Sequence, residues 1–271
     1  MKNVIAFLLV VSISSLVFSQ TYQSPYKTSL AKDLTWISIA AGGTALGLHL
    51  KMKKEPTTSA ELDNLLKANV PNFDRWAVGN YSISANNTSD IPFYTSFALP
   101  FALLLDSNAN DYSLQILGLY VESLVTTASL YTIASGLTNR YRPLIYNNTV
   151  PLNERIEANG RGSFYSGHVA ATATATFFAA KVFSDFNPDS PLVPYIWGVS
   201  AAIPALVGYY RIVAGKHFLS DVLLGYTLGA AAGILVPELH KINLEGVSLF
   251  TASMSTPLGL NYGTLKLCYN F

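Results

Sequence analysis

Residues 209–221 read Tyr209-Tyr210-Arg211-Ile212-Val213-Ala214-Gly215-Lys216-His217-Phe218-Leu219-Ser220-Asp221. An arginine, a histidine six residues later and an aspartate four beyond that stand between two apolar runs, 193–207 and 222–236. Polar groups are thus concentrated where two predicted helices meet. Ser220 suits the N-cap of the second helix, and Asp221 its first turn, where the helix dipole favours a carboxylate. His217 is placed to donate one ring N–H to Asp221. Such a bond fixes the tautomer and leaves the other nitrogen a lone pair, as a nucleophilic or metal-binding imidazole requires. On this stretch alone a plainer reading is equally open, with Arg211 and Asp221 anchoring a loop and His217 as a polar cap.

Composition narrows the setting. Half of the 271 residues are hydrophobic and 12% are charged, against about a quarter charged in soluble domains. The balance points to a membrane or to an unusually apolar helical core. A net charge of +1 and the lack of a Lys/Arg run argue against nucleic acid as a partner. Cys268 is the sole cysteine, which excludes an intramolecular disulfide and a cysteine-based metal site. No metal-ligand cluster is evident, and no cofactor is expected.

Residues 1–19 have the form of an export signal, with Lys2, an apolar region at 4–17 and a small-residue cleavage site before Gln20; an uncleaved anchor helix is the rival reading. Apolar segments at 34–50, 90–105, 114–137, 168–183, 193–214 and 220–236 predict six helices and an all-α fold. An amphipathic piece covers 62–77, and its Asp74-Arg75 pair reads as a surface or interfacial anchor. Beyond residue 246, alternation at Leu265, Leu267, Tyr269 and Phe271 predicts one or two short strands. The expected division is a signal at 1–19, N-terminal helices and connector at 20–113, a catalytic core at 114–240 and a tail at 241–271.

Two further polar clusters stand at predicted helix ends. In Asn139-Arg140-Tyr141-Arg142-Pro143, the proline is expected to stop the helix begun near Leu114, with two arginines at its end. Arginines there ordinarily complement the dipole or anchor an interface. The second cluster, Gly160-Arg161-Gly162-Ser163-Phe164-Tyr165-Ser166-Gly167-His168, opens the next helix. Its glycine-rich entry leaves backbone N–H groups for a phosphate-like anion; a capping serine with an incidental histidine is the alternative. In an up-and-down bundle all three clusters can share one end. Cations, amides and two histidines would then suit phosphoryl transfer, which needs oxygens held, a nucleophile and an acid.

Arg142-Pro143, then Ser166-Gly167-His168, then Arg211-x5-His217-x3-Asp221, in that order and spacing, resemble the type 2 phosphatidic acid phosphatase and vanadium haloperoxidase superfamily over roughly residues 114–236. The resemblance implies a six-helix membrane-type bundle in which His217 attacks phosphorus to give a phosphohistidine and Asp221 orients it. His168 would protonate the leaving oxygen and then activate water. Arg142 and Arg211, the Ser166 hydroxyl and the Gly167 and His168 amides would hold the phosphoryl oxygens. Three positions depart from the pattern: Ser135 replaces a lysine, Tyr165 a proline and Tyr210 a serine. Arg140 or Lys216 is the expected substitute for the lysine.

The expected function is therefore a phosphatase acting on a phosphate monoester or pyrophosphate of a membrane lipid, without metal and with a bell-shaped pH profile. A soluble periplasmic acid phosphatase or phosphotransferase, a vanadate-dependent haloperoxidase and a non-catalytic membrane scaffold are the alternatives. The expected place is the cell envelope after export, embedded in the membrane with the site facing the periplasm. One conflict stands. With the signal cleaved, three spanning helices before Arg142 would turn the site to the cytoplasm, and Lys51, Lys53 and Lys54 fit that orientation. It disappears if 90–105 does not span or if the first helix lies on the surface.

Overall fold

The computed structural model describes residues 23–242, apart from the side chains of 158 and 159, and the backbone of 247–255 and 261–269. The expected export signal and Phe271 lie outside the described residues. The long apolar runs form α1 (Leu30–Met52), α3 (Ile83–Ser96), α4 (Ser113–Leu137), α6 (Gly167–Phe186), α7 (Val193–Val213) and α8 (Leu219–Leu239). Two single turns, α2 (Ser59–Asp63) and α5 (Leu152–Ile156), lie in the connections. The tail forms an antiparallel hairpin, β1 (Val247–Ser255) with β2 (Asn261–Tyr269), Val247 opposite Tyr269. The fold is thus an all-α bundle with a short β appendage.

Three expected elements differ. Residues 62–77 form no amphipathic helix. A capping box at Thr58 starts α2, and 3-10 turns follow at Lys67–Asn69 and Arg75–Ala77. Pro71 cannot donate to a helical ladder, and the Arg75 guanidinium closes the turn instead by bonding the carbonyls of Ala68 and Val70 at 3.0 Å. The segment expected at 90–105 begins earlier, where the Ser82 hydroxyl caps α3 by accepting from the Ala85 amide at 3.1 Å. It passes into a 3-10 helix, Leu99–Leu105. Finally, α4 ends at Leu137, where the apolar run at 114–137 ends, so Pro143 is not what stops it. Residues 140–142 then run extended beside 160–163: the Arg140 amide donates to the Arg161 carbonyl at 3.1 Å, Ser163 to Arg140 at 3.0 Å and Arg142 to Gly160 at 2.9 Å.

The register of α8 against α6 places the site. Gly225, Gly229 and Gly233 recur every four residues and share one face. A Cβ on them would lie 2.5, 2.1 and 2.6 Å from the carbonyl oxygens of Ser166, Ala170 and Thr174, which follow the same spacing on α6. Only glycine permits so close an approach. Hydroxyl bonds lock the contact, Thr174 to the Gly229 carbonyl at 3.1 Å and Thr127 of α4 with Thr174 at 2.7 Å. α7 joins α6 through Thr176 to the Ser200 carbonyl at 2.9 Å and Trp197 to Ser184 at 2.8 Å. On the far side α1 lies along α4, and a Cβ on Gly47 would meet the Thr132 backbone at 2.3 Å.

Three helices, Asn110–Leu137, Val193–Val213 and Leu219–Leu239, are long and apolar enough to cross a membrane. Their large apolar side chains also face outward, among them Leu114, Leu137, Tyr195, Val199, Leu223 and Leu235. α3, with 14 residues, is only about 21 Å long, short of the roughly 30 Å of a bilayer's hydrocarbon.

Candidate active site

Three backbone devices bring the polar clusters to one end of the bundle. The extended pairing of 140–142 with 160–163 sets the first beside the second. The Ser166 amide donates to the Asp221 carbonyl at 3.0 Å, which sets the second beside the third. The third is a tight turn at Gly215, whose φ of 71° and whose approach to the Asn80 carbonyl, 1.8 Å from any Cβ, exclude other residues. The Gly215 carbonyl accepts from the Leu144 amide at 3.0 Å, so the turn carrying His217 is tied to the segment carrying Arg142.

His217 is 2% exposed. Its Nδ1 lies 2.6 Å from the Ser163 carbonyl oxygen. A carbonyl can only accept, so Nδ1 carries the proton and Nε2 keeps its lone pair. The orientation expected from Asp221 is therefore supplied by a backbone carbonyl. Asp221, fully buried, acts one residue further back: it accepts from the Ser163 hydroxyl at 2.7 Å and from the Phe218 amide at 2.9 Å, holding both strands of the frame around the imidazole.

Arg140, expected among the phosphate-binding residues, is engaged by carboxylates instead. Its guanidinium bonds Asp221, the Ser220 hydroxyl at 2.9 Å and Asp74 at 2.7 Å, and stacks over the Phe218 ring at 4.8 Å. Asp74, read from the sequence as a surface or interfacial anchor, is 2% exposed and also accepts from the Ser220 amide and hydroxyl at 2.9 and 2.6 Å. Two buried carboxylates need a cation between them, and Arg140 is spent on that.

The other residues named from the sequence lie at the same end of the bundle. Arg142 and Arg211 are buried, and Arg211 is steadied by Asn86 at 2.9 Å and Ser89 at 3.4 Å, both from α3. Ser166 is the N-cap of α6, yet its hydroxyl caps nothing and is buried with no hydrogen-bond partner. It stands with the Gly167 and His168 amides, which a helix start leaves without intrahelical partners. Burial and the charges of Arg142 and Arg211 lower Lys216, so a third cation shares the pocket. Burial, then Arg211 and Arg142, also hold His217 well below the usual histidine value, against the Ser163 carbonyl, which raises it. His168 is pushed down to about 3 by burial and by Arg211, Arg142 and Lys216. Both histidines are thus disfavoured as cations beside the two arginines.

Sequence reasoning missed several residues. Asp90 of α3 lies 3.5 Å from His168 Nε2, and Phe93 stacks on that ring at 4.2 Å. Tyr131, one turn before Ser135 on α4, lies so close to Gly167 that a Cβ there would meet its ring at 2.7 Å. Its hydroxyl accepts from Lys51 at 3.3 Å. Ser163 had a visible signal, its place in the glycine-rich cluster. Asp74, Asp90 and Tyr131 had none, because they reach the site from separate elements.

A buried histidine with one free nitrogen, two buried arginines and an open helix start thus stand together at one end of a helical bundle. Residues 116–244, within the stretch from α4 through α8 and the segment after it, match the family model of the PAP2 superfamily. Among solved structures the chain is similar to the first transmembrane PAP2-type phosphatidylglycerolphosphate phosphatase from Bacillus subtilis, at 20% identity over 74% of this chain and 94% of that one, with a TM-score of 0.43. No curated protein matches the chain.

Proposed function

We propose that the chain is a membrane-embedded phosphatase that hydrolyses a phosphate monoester or pyrophosphate of a lipid through a phosphohistidine. The single observation that carries this reading is the His217 Nδ1 contact with the Ser163 carbonyl, which commits one nitrogen and leaves Nε2 for phosphorus. Nε2 attacks phosphorus, the bond to the leaving oxygen breaks, and that oxygen takes the His168 proton. His168 then accepts a proton from water as the water oxygen attacks phosphorus. The N–P bond breaks, and phosphate leaves with His217 restored. Arg142, Arg211, the Ser166 hydroxyl and the α6 amides hold the charge that develops on the oxygens. Bound phosphate offsets the arginines and lets His168 carry its proton, with Asp90 beside it.

Tyr131 and Lys51 take the place of the lysine that Ser135 does not supply. Ser135 is wholly buried, whereas Lys51 donates to the Tyr131 hydroxyl, beside Gly167, from a different helix. The outward apolar faces of α4, α7 and α8 favour a lipid substrate. The test is phosphate release by detergent-purified protein, with chelator present, on phosphatidate in mixed micelles and on a soluble aryl phosphate, each beside His217→Ala. Release from phosphatidate that the variant loses supports the reading. Release from the aryl phosphate alone turns it to a soluble substrate, and release that survives His217→Ala overturns the mechanism.

A further inference from the structure

At the end of the bundle away from the phosphatase site, three residues from distant parts of the chain converge. Asp33 lies in the first turn of α1, Glu122 on α4, and His240 immediately after α8. One ligand atom from each lies within 4.8 Å of the other two. His240 Nδ1 is 2.8 Å from the Val236 carbonyl oxygen, so Nδ1 carries the proton and the lone pair sits on Nε2. Nε2 faces Asp33 Oδ1 at 3.4 Å and Glu122 Oε2 at 3.6 Å. The other Asp33 oxygen accepts from the Ser29 amide at 2.9 Å, which holds that carboxylate in place.

Glu122 is the group that needs an explanation. It is 1% exposed, and neither of its oxygens has a hydrogen-bond partner. Among the ion pairs of the described residues, no lysine or arginine reaches it. An ionisable group in a helix apolar enough to cross a membrane is costly and ordinarily has a function. Three acceptors facing one another require a cation or a proton between them. A charge-assisted N–H···O bond ordinarily closes to about 2.7–2.9 Å, whereas ligands at about 2.0–2.1 Å around a tetrahedral zinc stand roughly 3.3–3.4 Å apart. The observed 3.4 and 3.6 Å are nearer the second, although the shorter also lies within reach of a protonated Nε2. The imidazole is also oriented as metal-bound histidines are, its other nitrogen donating to a backbone carbonyl. A cavity of about 510 Å³, lined by Thr28, Lys32 and Trp36 among others, adjoins the cluster and leaves room for a water as fourth ligand.

We propose that Asp33, Glu122 and His240 bind one divalent transition-metal cation, Zn²⁺ first, which joins α1, α4 and α8 at the end away from the chemistry. One nitrogen and two carboxylate oxygens neutralise its charge and suit zinc rather than calcium or magnesium, which take oxygen ligands. The site is independent of the phosphatase reading. The full chain, purified in detergent, stripped with chelator and dialysed, is titrated with Co²⁺ followed by visible absorption and with Zn²⁺ followed by calorimetry.

One equivalent per chain is expected, with the absorption of tetrahedral Co²⁺ and a melting temperature raised by metal. Glu122→Gln and Asp33→Asn should each weaken binding by about tenfold or more, since even loss of a partner behind the ligands costs about 10–100-fold. His168→Ala should bind as wild type. If Glu122→Gln fails to fold, Asp33→Asn, at the margin of α1, decides. No saturable binding, or binding that both variants retain, overturns the proposal; the former leaves His240 as an imidazolium shared by two carboxylates.

Discussion

His217 owes its readiness to burial. Its value in the folded chain is depressed, so the unfolded chain binds the proton more strongly. This contribution to stability is fully present above pH about 6.5, the unfolded value, and is lost as pH falls below it. Neutral His217 therefore persists through mildly acid conditions. His217→Ala should lower phosphate release by about a thousandfold or more, as loss of a nucleophile does elsewhere. His168 differs, because its depression comes partly from Arg211 and Arg142, the groups that phosphate would screen. Histidine NMR should find it neutral through pH 5–7 in the free protein and titrating at a higher pH with inorganic phosphate bound. An unchanged titration would remove His168 from the phosphate pocket. In the complex, where one histidine is neutral and the other protonated, kcat should follow a bell, and a steady rise from pH 5 to 9 contradicts the assignment. Arg140 is legible in the sequence only as a cation near a motif. Its geometry assigns it to Asp74 and Asp221. Arg140→Gln should cost about 3 kcal/mol of stability by stranding buried carboxylates. KM of the fraction that folds should change little, whereas a phosphate ligand would raise it.

Between elements, the glycine face of α8 decides whether the site exists. Ser166 caps the start of α6, and Asp221 and His217 stand at the start of α8, so any spreading of the two helices separates Ser166 from His217. Gly229→Ala places a methyl 2.1 Å from the Ala170 oxygen, and should destabilise by about 1–3 kcal/mol and lower kcat as well. Gly198→Ala on α7 meets nothing within 4 Å; relief of glycine's backbone entropy should stabilise by about 0.5–1 kcal/mol. Thermal melts of the pair separate a packing role from helix propensity. α3 contributes in a different way. Read from hydropathy as one of six apolar helices, it is too short to reach across a bilayer and instead supplies Asn86, Ser89 and Asp90 to Arg211 and His168. Its polar residues lowered its apparent continuity for the same reason that they serve the site. Of the three helices before Arg142 that raised the topology conflict, only Asn110–Leu137 is long and apolar enough to cross a membrane.

Taken whole, the molecule turns apolar side chains outward along α4, α7 and α8 and gathers its charge at the two ends of the bundle. The protein should stay with membranes through high salt and alkaline carbonate and leave them only with detergent; release by salt alone would reject embedding. Activity should survive chelation even if metal at the far end is removed, because the proposed nucleophile is an imidazole and the developing charge is met by arginines and amides. What could be read in the amino-acid order was local. Apolar runs of helical length, the caps and glycines that end them, and three motifs in a fixed order sufficed for an all-α bundle and for naming His217, His168, Arg142, Arg211, Ser166 and Gly167 as candidates. Partners from distant segments could not be read. That the Ser163 carbonyl rather than Asp221 holds His217, that Asp74 and Arg140 brace the frame, that Tyr131 and Lys51 stand where Ser135 offers no charge, and that Asp33, Glu122 and His240 meet at all are outcomes of helix register. Register is set by close contacts such as Gly229 against Ala170, and no periodicity within one segment encodes which residue another segment will bring opposite.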